Sequence, residues 1–344
     1  MSPPLRVAVV GLGYWGPNLL RNLVELDDAE VVTMCDSRED RLEHWGRRYP
    51  AIRRTASYLD VLSDDRVDAI AIATPVSTHF ELASQALRFG KHTFVEKPLA
   101  ASSEEAEELV RLARRAGRVL MPGHTFLYSP PVVLVKEMID RGDLGEIYFI
   151  SSSRVNLGLH QADVSVVWDL GPHDFAILRY WLGESPESVS ALSRACVIPG
   201  TPDVAFVNMR YPSGTIAQIE LAWLAPSKLR RTAVVGSERM VVYDDTSGEP
   251  VRIFDSGATL PDPESFGEYQ LSYRTGDIVS PHVEPVEPIY RQMEDFSRAV
   301  RERVEPRSSA QLGLDVVETI EMVDSSLALG VPVEHSARLS RVKP

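Results

Sequence analysis

Three glycines near the N-terminus have the spacing of a phosphate-binding loop. Gly11, Gly13 and Gly16 form the pattern GxGxxG, between the apolar run LRVAVV and a segment with helical leucine spacing. In a strand–turn–helix unit the first glycine allows the tight turn and the second lets the backbone approach a pyrophosphate. The third lets helix and strand pack closely, and the helix N-terminus supplies amide donors. A purely structural turn is the alternative, and we interpret the pattern as a dinucleotide-binding loop.

An acidic residue follows at the spacing expected for ribose recognition. Asp36 ends the second apolar run, 25 residues after Gly11. A carboxylate there accepts hydrogen bonds from the adenosine ribose and repels a 2′-phosphate, which favours NAD over NADP. Ser37 and Arg38 follow at once and soften that preference. An ordinary loop cap is the alternative role for Asp36.

Further cofactor contacts are expected where the other parallel strands end. Ligands bind at the carboxyl edge of such sheets. Thr78 is interpreted as the N-cap of the next helix. Tyr14 and Trp15, inside the glycine loop, either wall the substrate side or pack locally. The remaining cofactor-binding candidates are Ala73, Thr74, Pro75, His79, Glu96 and Lys97.

Lys97 lies in the sequence Glu96-Lys97-Pro98, directly after a short predicted strand. A residue before proline is disfavoured in a helix, so the chain turns here. The lysine side chain is therefore expected to point outward from the sheet edge. An ordinary surface lysine is the alternative, because most lysines are exposed.

Asp169 and His173 lie four residues apart in the segment WDLGPHD. On a helix that spacing places both side chains on one face. The pKa of histidine is ordinarily near neutrality, which suits a proton acceptor. The same spacing occurs among metal ligands, but the sequence offers no third ligand, so we expect no metal.

The predicted strands and helices that would position these side chains form two domains. Apolar runs and amphipathic segments alternate from Leu5 to Met121, which indicates an α/β Rossmann fold, a doubly wound parallel sheet with right-handed crossovers. Ser102, with Glu105 three residues later, predicts a capping box at one helix start. We assign residues 1–122 to a dinucleotide-binding domain.

The pattern changes near Pro122. Several longer strand-like segments follow, which predicts an α+β domain with a large, mostly antiparallel open sheet over residues 123–330. Pro250–Pro288 is rich in Pro, Gly and Asp and is expected to be a long surface excursion. Residues 331–344 are expected to form a C-terminal tail.

Composition excludes several classes of protein. The formal net charge of −13 argues against nucleic acid and anionic membrane surfaces as partners. The two cysteines, Cys35 and Cys196, predict neither a disulfide framework nor a zinc cluster. The N-terminus has no apolar signal segment. We expect a soluble, cytoplasmic protein.

The glycine loop, the EKP turn and D-x-x-x-H together resemble the Gfo/Idh/MocA oxidoreductase family, over Leu5 to about Leu329. The resemblance implies a nicotinamide-dependent dehydrogenase acting on a sugar or cyclitol alcohol. It implies that Lys97 is the catalytic lysine, Asp169 a substrate-binding residue and His173 the acid/base. It also implies a homodimer or homotetramer built on the open sheet.

Three segments are similar to the nucleotide-sugar 3-dehydrogenase branch of that family: GYWGPN from Gly13, RVNLG from Arg154 and WDLGPHD from Trp168. This implies oxidation at ring C3 of a UDP-N-acetylglucosamine derivative. Related enzymes suggest an aminoglycoside or other antibiotic sugar as the alternative. The candidate substrate contacts are Lys97, His124, Arg154, Asn156, Asp169 and His173, with His160 and Asp163 as weaker candidates. A structural role in the strand is the alternative for Arg154 and Asn156.

Oxidation of a secondary alcohol needs a hydride acceptor and a base for the hydroxyl proton. We expect His173 to take the proton, Asp169 to hold a neighbouring hydroxyl, and Lys97 to donate to the developing alkoxide. A non-catalytic NAD-binding sensor on the same fold is a different class of function. An NAD-dependent glycosidase that oxidises C3 transiently is another.

Overall fold

The computed structural model describes residues 3–158, 164–259 and 272–335. Its first part alternates strand and helix as the sequence predicts. In chain order its elements are β1 (Leu5–Val10), α1 (Gly16–Glu25), β2 (Ala29–Cys35), α2 (Glu39–Arg48), β3 (Arg53–Thr55), α3 (Tyr58–Leu62), β4 (Ala69–Ile72), α4 (His79–Arg88), β5 (His92–Glu96), α5 (Ser103–Ala116) and β6 (Leu120–Gly123).

The later elements are mostly strands, with four helices among them. They are α6 (Pro130–Asp140), β7 (Ile147–Val155), α7 (Val166–Leu182), β8 (Ser188–Arg194), β9 (Val204–Arg210), β10 (Ile216–Ala222), β11 (Leu229–Gly236), β12 (Met240–Asp244), β13 (Val251–Thr259), β14 (Ser272–Val279), α8 (Pro288–Glu302), α9 (Ala310–Leu329) and β15 (Val333–Glu334). Two 3₁₀ turns cover Val76–Thr78 and Thr125–Tyr128.

The first compact unit comprises Met1–Ser129 and Val286–Glu318. Its six strands pair in parallel in the order β3-β2-β1-β4-β5-β6. The order changes direction beside β1 and β4, the arrangement in which ligands bind beyond the carboxyl ends of the strands. The Rossmann prediction is therefore confirmed. The N-cap half of the predicted capping box is confirmed, since Ser102 Oγ accepts the Glu105 N–H at 3.2 Å. The Glu105 carboxylate accepts the N–H of Ala101 instead of that of Ser102.

Helix α8 belongs to this first unit, although the sequence assignment placed it in the second. Its Phe296 ring meets Phe94 of β5, with ring centroids 5.9 Å apart. Gln292 accepts a hydrogen bond from Thr125 at 2.9 Å. The buried Phe296 ring and the hydrogen bond to Gln292 thus tie α8 to the first unit.

The second compact unit comprises Pro130–Pro285 and Thr319–Pro344. Its nine strands have the order β14-β13-β12-β11-β7-β10-β9-β8-β15. The β7–β10 pair is parallel, and the other seven pairings described are antiparallel. The predicted mostly antiparallel open sheet is confirmed. Since β7 and β10 run the same way, both end at the same edge.

Two sequence-based expectations need correction, and two short elements were not predicted. The Pro250–Pro288 excursion contains the paired strands β13 and β14, which are held by backbone pairing while most of their described side chains stay partly exposed. Their polar composition gave no apolar signal. The tail does not begin at residue 331, because β15 pairs with β8. Short β3 and α3 were not predicted, since three to five residues carry too little periodicity.

Candidate active site

The glycine loop has the backbone geometry of a phosphate cradle. Gly11 has φ +88°, and a Cβ there would lie 2.6 Å from the Ala73 carbonyl oxygen. A Cβ on Gly16 would lie 1.8 Å from the Gly11 oxygen. Both positions therefore exclude any side chain. A Cβ on Gly13 would meet only Arg41, at 3.6 Å, so the backbone there can be approached closely.

The amide groups of this loop suit a dinucleotide phosphate. Helix α1 has no side-chain cap at its first turn. In the part of the chain that the structure describes, the N–H groups of Gly13, Tyr14 and Trp15 have no protein acceptor. Tyr14 and Trp15 are exposed and meet edge to face at 5.3 Å. The loop thus fits NAD, because it offers backbone N–H donors and its glycines leave room for the phosphates.

Asp36 is buried at the end of β2 and held by the loops around it. Its Oδ2 accepts the Leu12 N–H at 2.7 Å, and its Oδ1 accepts the Arg38 N–H at 2.9 Å. Arg41, which sequence reasoning missed, lies 3.3 Å from Oδ2. The carboxylate therefore caps the glycine loop, and its contact with the ribose remains a prediction. Ser37 and Arg38 are exposed beside it.

A buried histidine joins two turns at the sheet edge. The His79 ring lies between the Pro98 oxygen, 2.8 Å from Nδ1, and the Thr74 oxygen, 2.9 Å from Nε2. Burial lowers its pKa, and the nearby Lys97 charge acts in the same direction. His79 thereby braces the turn that carries Lys97. Thr78 does not cap α4 as predicted, because its hydroxyl donates to the Pro75 carbonyl at 2.7 Å instead.

Lys97 follows β5 and lies beside two buried ionisable groups. The Glu96 carboxylate accepts the Lys97 N–H at 3.2 Å, and burial raises the pKa of Glu96 to about 7. His124 follows β6 and is 1% exposed. Burial, with the Lys97 charge, lowers the pKa of His124 to about 3. Both its ring nitrogens lack a hydrogen-bond partner among the described residues, which suits a ligand contact.

In the second unit, helix α7 presents Asp169 and His173 one turn apart. Both side chains are half-buried. Asp169 Oδ2 accepts the indole N–H of Trp223, just after β10, at 3.0 Å. The predicted pairing of Asp169 with His173 on one helix face agrees with this placement. Trp223 was missed, because nothing in its local sequence distinguishes it from a core tryptophan.

Of the two roles that the sequence leaves open for Arg154, its burial favours the structural one over a substrate contact. It is 4% exposed, and its Nε donates to Asp174, on α7 next to His173. Asp174 also accepts the Ser152 hydroxyl at 2.8 Å. A buried guanidinium requires a counter-charge, and Asp174 supplies it. Arg154 therefore links α7 to the sheet.

Asn156, just after β7, lies at the same strand edge as Trp223. Its N–H donates to the Ala222 oxygen at 3.1 Å, and its carbonyl accepts the Ala225 N–H at 3.2 Å. Its side-chain Oδ1 is buried without a hydrogen-bond partner in the residues described. This oxygen can accept a ligand hydroxyl. His160 and Asp163 lie outside the described residues.

Two other kinds of feature are absent from the described residues. No group of three or more His, Cys, Asp or Glu side chains there is arranged to hold a metal ion. No helix there is long and apolar enough to cross a membrane.

Residues 5–124 match the domain described as "Oxidoreductase family, NAD-binding Rossmann fold", and residues 132–242 match the "GFO/IDH/MocA C-terminal domain". The chain is 30% identical to scyllo-inositol 2-dehydrogenase (NAD(+)) of Bacillus subtilis, over 74% of this chain and 78% of that protein. The chain belongs to the Gfo/Idh/MocA family. It is an NAD-dependent oxidoreductase.

Solved structures agree with this membership. The Gfo/Idh/MocA chain superposes on GenD2 from gentamicin A biosynthesis, in complex with NAD, with TM-score 0.83, 26% identity and coverage of 98% of each chain. It also superposes on UDP-N-acetylglucosamine 3-dehydrogenase GnnA of Acidithiobacillus ferrooxidans, with TM-score 0.80, 23% identity and coverage of 95% and 99%. The second likeness shows the shared fold.

Proposed function

We propose that this Gfo/Idh/MocA member catalyses NAD-dependent oxidation, or the reverse reduction, of a secondary alcohol at C3 of a sugar ring. The observation that carries the proposal is the pair Asp169 and His173 on one face of α7, with the Asp169 carboxylate held by Trp223. Residues of the first unit would bind the dinucleotide, and residues of the second would bind the sugar.

Each residue has a role that its own surroundings support. His173 takes the proton of the reacting hydroxyl, and Asp169 accepts a hydrogen bond from a neighbouring hydroxyl. Lys97 donates to the oxygen on which negative charge develops. The glycine loop and Asp36 would hold NAD, which would supply the acceptor for the hydride of the alcohol carbon.

Two substrate classes are candidates, and one observation supports the second of them. A nucleotide sugar such as a UDP-N-acetylglucosamine derivative needs cations for its diphosphate. Arg154, the cation that the sequence assigned to that task, is buried against Asp174. Asp169 meanwhile offers a carboxylate that attracts an amino group. This favours an amino sugar, such as an aminoglycoside ring, and the 26% identity to GenD2 over 98% of each chain supports it.

We also propose that the protein is a homodimer or homotetramer. One face of the open sheet carries Phe149, Leu192, Phe206 and Ile216. Ile216 lies opposite Phe149, and Leu192 lies opposite Phe206. The pairing of β9 with β10 places Phe206 and Ile216 on the same face. All four are exposed in the single chain. A second copy of the chain is the occupant that a continuous sheet face suits.

The central test is turnover of a substrate panel by wild type and two variants. UDP-N-acetylglucosamine, its uronate, free sugars, inositols and aminoglycosides are compared with NAD and NADP by the absorbance of reduced cofactor. Lys97→Ala and His173→Ala should each lower kcat by about 100-fold or more while NADH binding survives. Lys136→Ala and His282→Ala are the matched controls and should keep full activity.

The outcomes separate the competing functions. Full activity in both Lys97→Ala and His173→Ala contradicts the proposed roles. NADH binding without turnover of any panel member indicates a sensor. Cleavage of a glycoside without net NADH formation indicates the glycosidase reaction. The position of the new ketone, determined by NMR, tests the assignment to C3.

A further inference from the structure

Trp223 is a buried tryptophan whose indole N–H is directed at a candidate active-site carboxylate. Its side chain is 1% exposed, and its Nε1 donates to Asp169 Oδ2 at 3.0 Å. Asp169 itself is only half-buried. The pair therefore joins an interior anchor to a group that a ligand can reach.

The backbone of Trp223 is fixed on both sides. Its N–H donates to the Asp203 oxygen at 2.9 Å, and its carbonyl accepts the Gly158 N–H at 2.9 Å. Packing against the ring is also tight, since a Cβ on Gly158 would lie 3.0 Å from the indole Cδ1. The indole thus has little freedom to turn away from Asp169.

The second unit contains two other tryptophans with comparable hydrogen bonds. Trp168 donates to the Asp324 carboxylate at 2.7 Å, and buried Trp181 donates to the Val132 carbonyl at 2.9 Å. Neither acceptor is a candidate active-site group. The loss of an indole N–H can therefore be compared at three sites, of which one touches Asp169.

We propose that Trp223 is a positioning residue that acts through Asp169. An aspartate side chain on a helix samples several rotamers. A rigid donor to one carboxylate oxygen selects the rotamer that directs the carboxylate toward the substrate hydroxyl or amino group. A hydrogen bond to an ionised group is strong enough to enforce this choice. The inference rests on the proposed role of Asp169 in substrate binding.

The test is a double-mutant cycle on the best substrate of the panel. Trp223→Phe keeps an aromatic ring and removes the N–H. It should lower kcat/KM by about 10–100-fold in the wild-type background, the size expected for a hydrogen bond to a charged group. In the Asp169→Ala background the same change should cost less than about threefold, because its target is gone.

Control variants separate positioning from general damage to the fold. Trp168→Phe removes an indole hydrogen bond to the Asp324 carboxylate. Trp181→Phe removes an indole hydrogen bond at a buried site, to the Val132 carbonyl. Both should leave kcat/KM within about threefold of wild type. NADH affinity, measured by fluorescence, should be unchanged in all four single variants. If Trp223→Phe does not fold, incorporation of 3-benzothienylalanine at residue 223 removes only the N–H.

Two failures can be told apart. If Asp169→Ala is as active as wild type, the proposed function of Asp169 is wrong. If Asp169→Ala is impaired but Trp223→Phe costs the same factor in both backgrounds, Trp223 acts independently of Asp169 and the inference is overturned.

Discussion

Burial acts in opposite directions on the pKa values of the two ionisable groups beside Lys97, and both changes favour the neutral form. The Glu96 carboxyl has its pKa raised to about 7, and His124 has its pKa lowered to about 3. The surroundings of Lys97 in the first unit therefore contain a neutral imidazole at neutral pH. A neutral imidazole can both donate and accept a hydrogen bond, which suits contact with a hydroxyl.

The raised pKa of Glu96 predicts a pH-dependent stability. In the folded chain the carboxyl keeps its proton to about pH 7, while its ordinary value is 4.5. The unfolded chain therefore binds fewer protons between these values, and the native state loses stability as pH rises through that window. Relative to wild type, Glu96→Gln should gain on the order of 2–3 kcal/mol in free energy of unfolding between pH 5 and pH 8.

The measurement is urea unfolding of both proteins across this pH range without added nucleotide. Glu43→Gln, a change at an exposed glutamate of the same unit, is the control and should give a flat difference from wild type. A flat difference for Glu96→Gln as well would contradict the prediction.

At the scale of elements, helix α7 has two functions on two faces. One face presents Asp169 and His173, and Asp174 points to the sheet, where it pairs with Arg154. The buried pair fixes the helix against β7, whose Ser152 also donates to Asp174. The position of the candidate base therefore depends on an ion pair one residue away.

Removal of one member of that ion pair should lower the stability of the protein more than removal of both members. Asp174→Asn leaves the Arg154 charge buried without a counter-charge and should cost about 3–5 kcal/mol of stability. The double variant Arg154→Met, Asp174→Leu leaves no charge and should be close to wild type in stability. Urea unfolding measures both. A double variant as unstable as Asp174→Asn would disprove this account.

Elements marked by local sequence patterns could be predicted, and contacts between separate segments could not. The alternation from β1 to β6, the glycine loop and the Asp169–His173 spacing are local patterns, and each could be predicted. The contact of Trp223 with Asp169 and the pairing of Arg154 with Asp174 join parts of the chain that are distant in sequence. Arg41 lies only five residues from Asp36, but no motif marks that contact. No periodicity reports such contacts. For the same reason, β13 and β14, which are stabilised by pairing, were predicted as loop.

At the scale of the whole molecule, the exposed sheet face predicts the assembly state. Phe206→Asp replaces the apolar side chain opposite Leu192 with a charge and should weaken self-association by about tenfold or more. Light scattering coupled to size exclusion gives the molar mass as a function of concentration. Leu59→Asp, a change at an exposed leucine of the first unit, is the control.

Two outcomes would contradict this assignment of the interface. A monomeric wild type would exclude a stable assembly. A Phe206→Asp variant with the same mass as wild type at every concentration would place the interface elsewhere. The Leu59→Asp control should remain as large as wild type.

Helix α8 is synthesised long after the strands of the first unit to which it belongs. The nucleotide-binding sheet is complete once residue 123 has been made, but Phe296 and the rest of α8 come much later in the chain. At ribosomal rates of about 5–20 residues per second, the delay before Phe296 is roughly 9–35 s. During that time Phe94 lacks its partner ring. We therefore expect the nascent chain to need chaperone protection before its first unit can close.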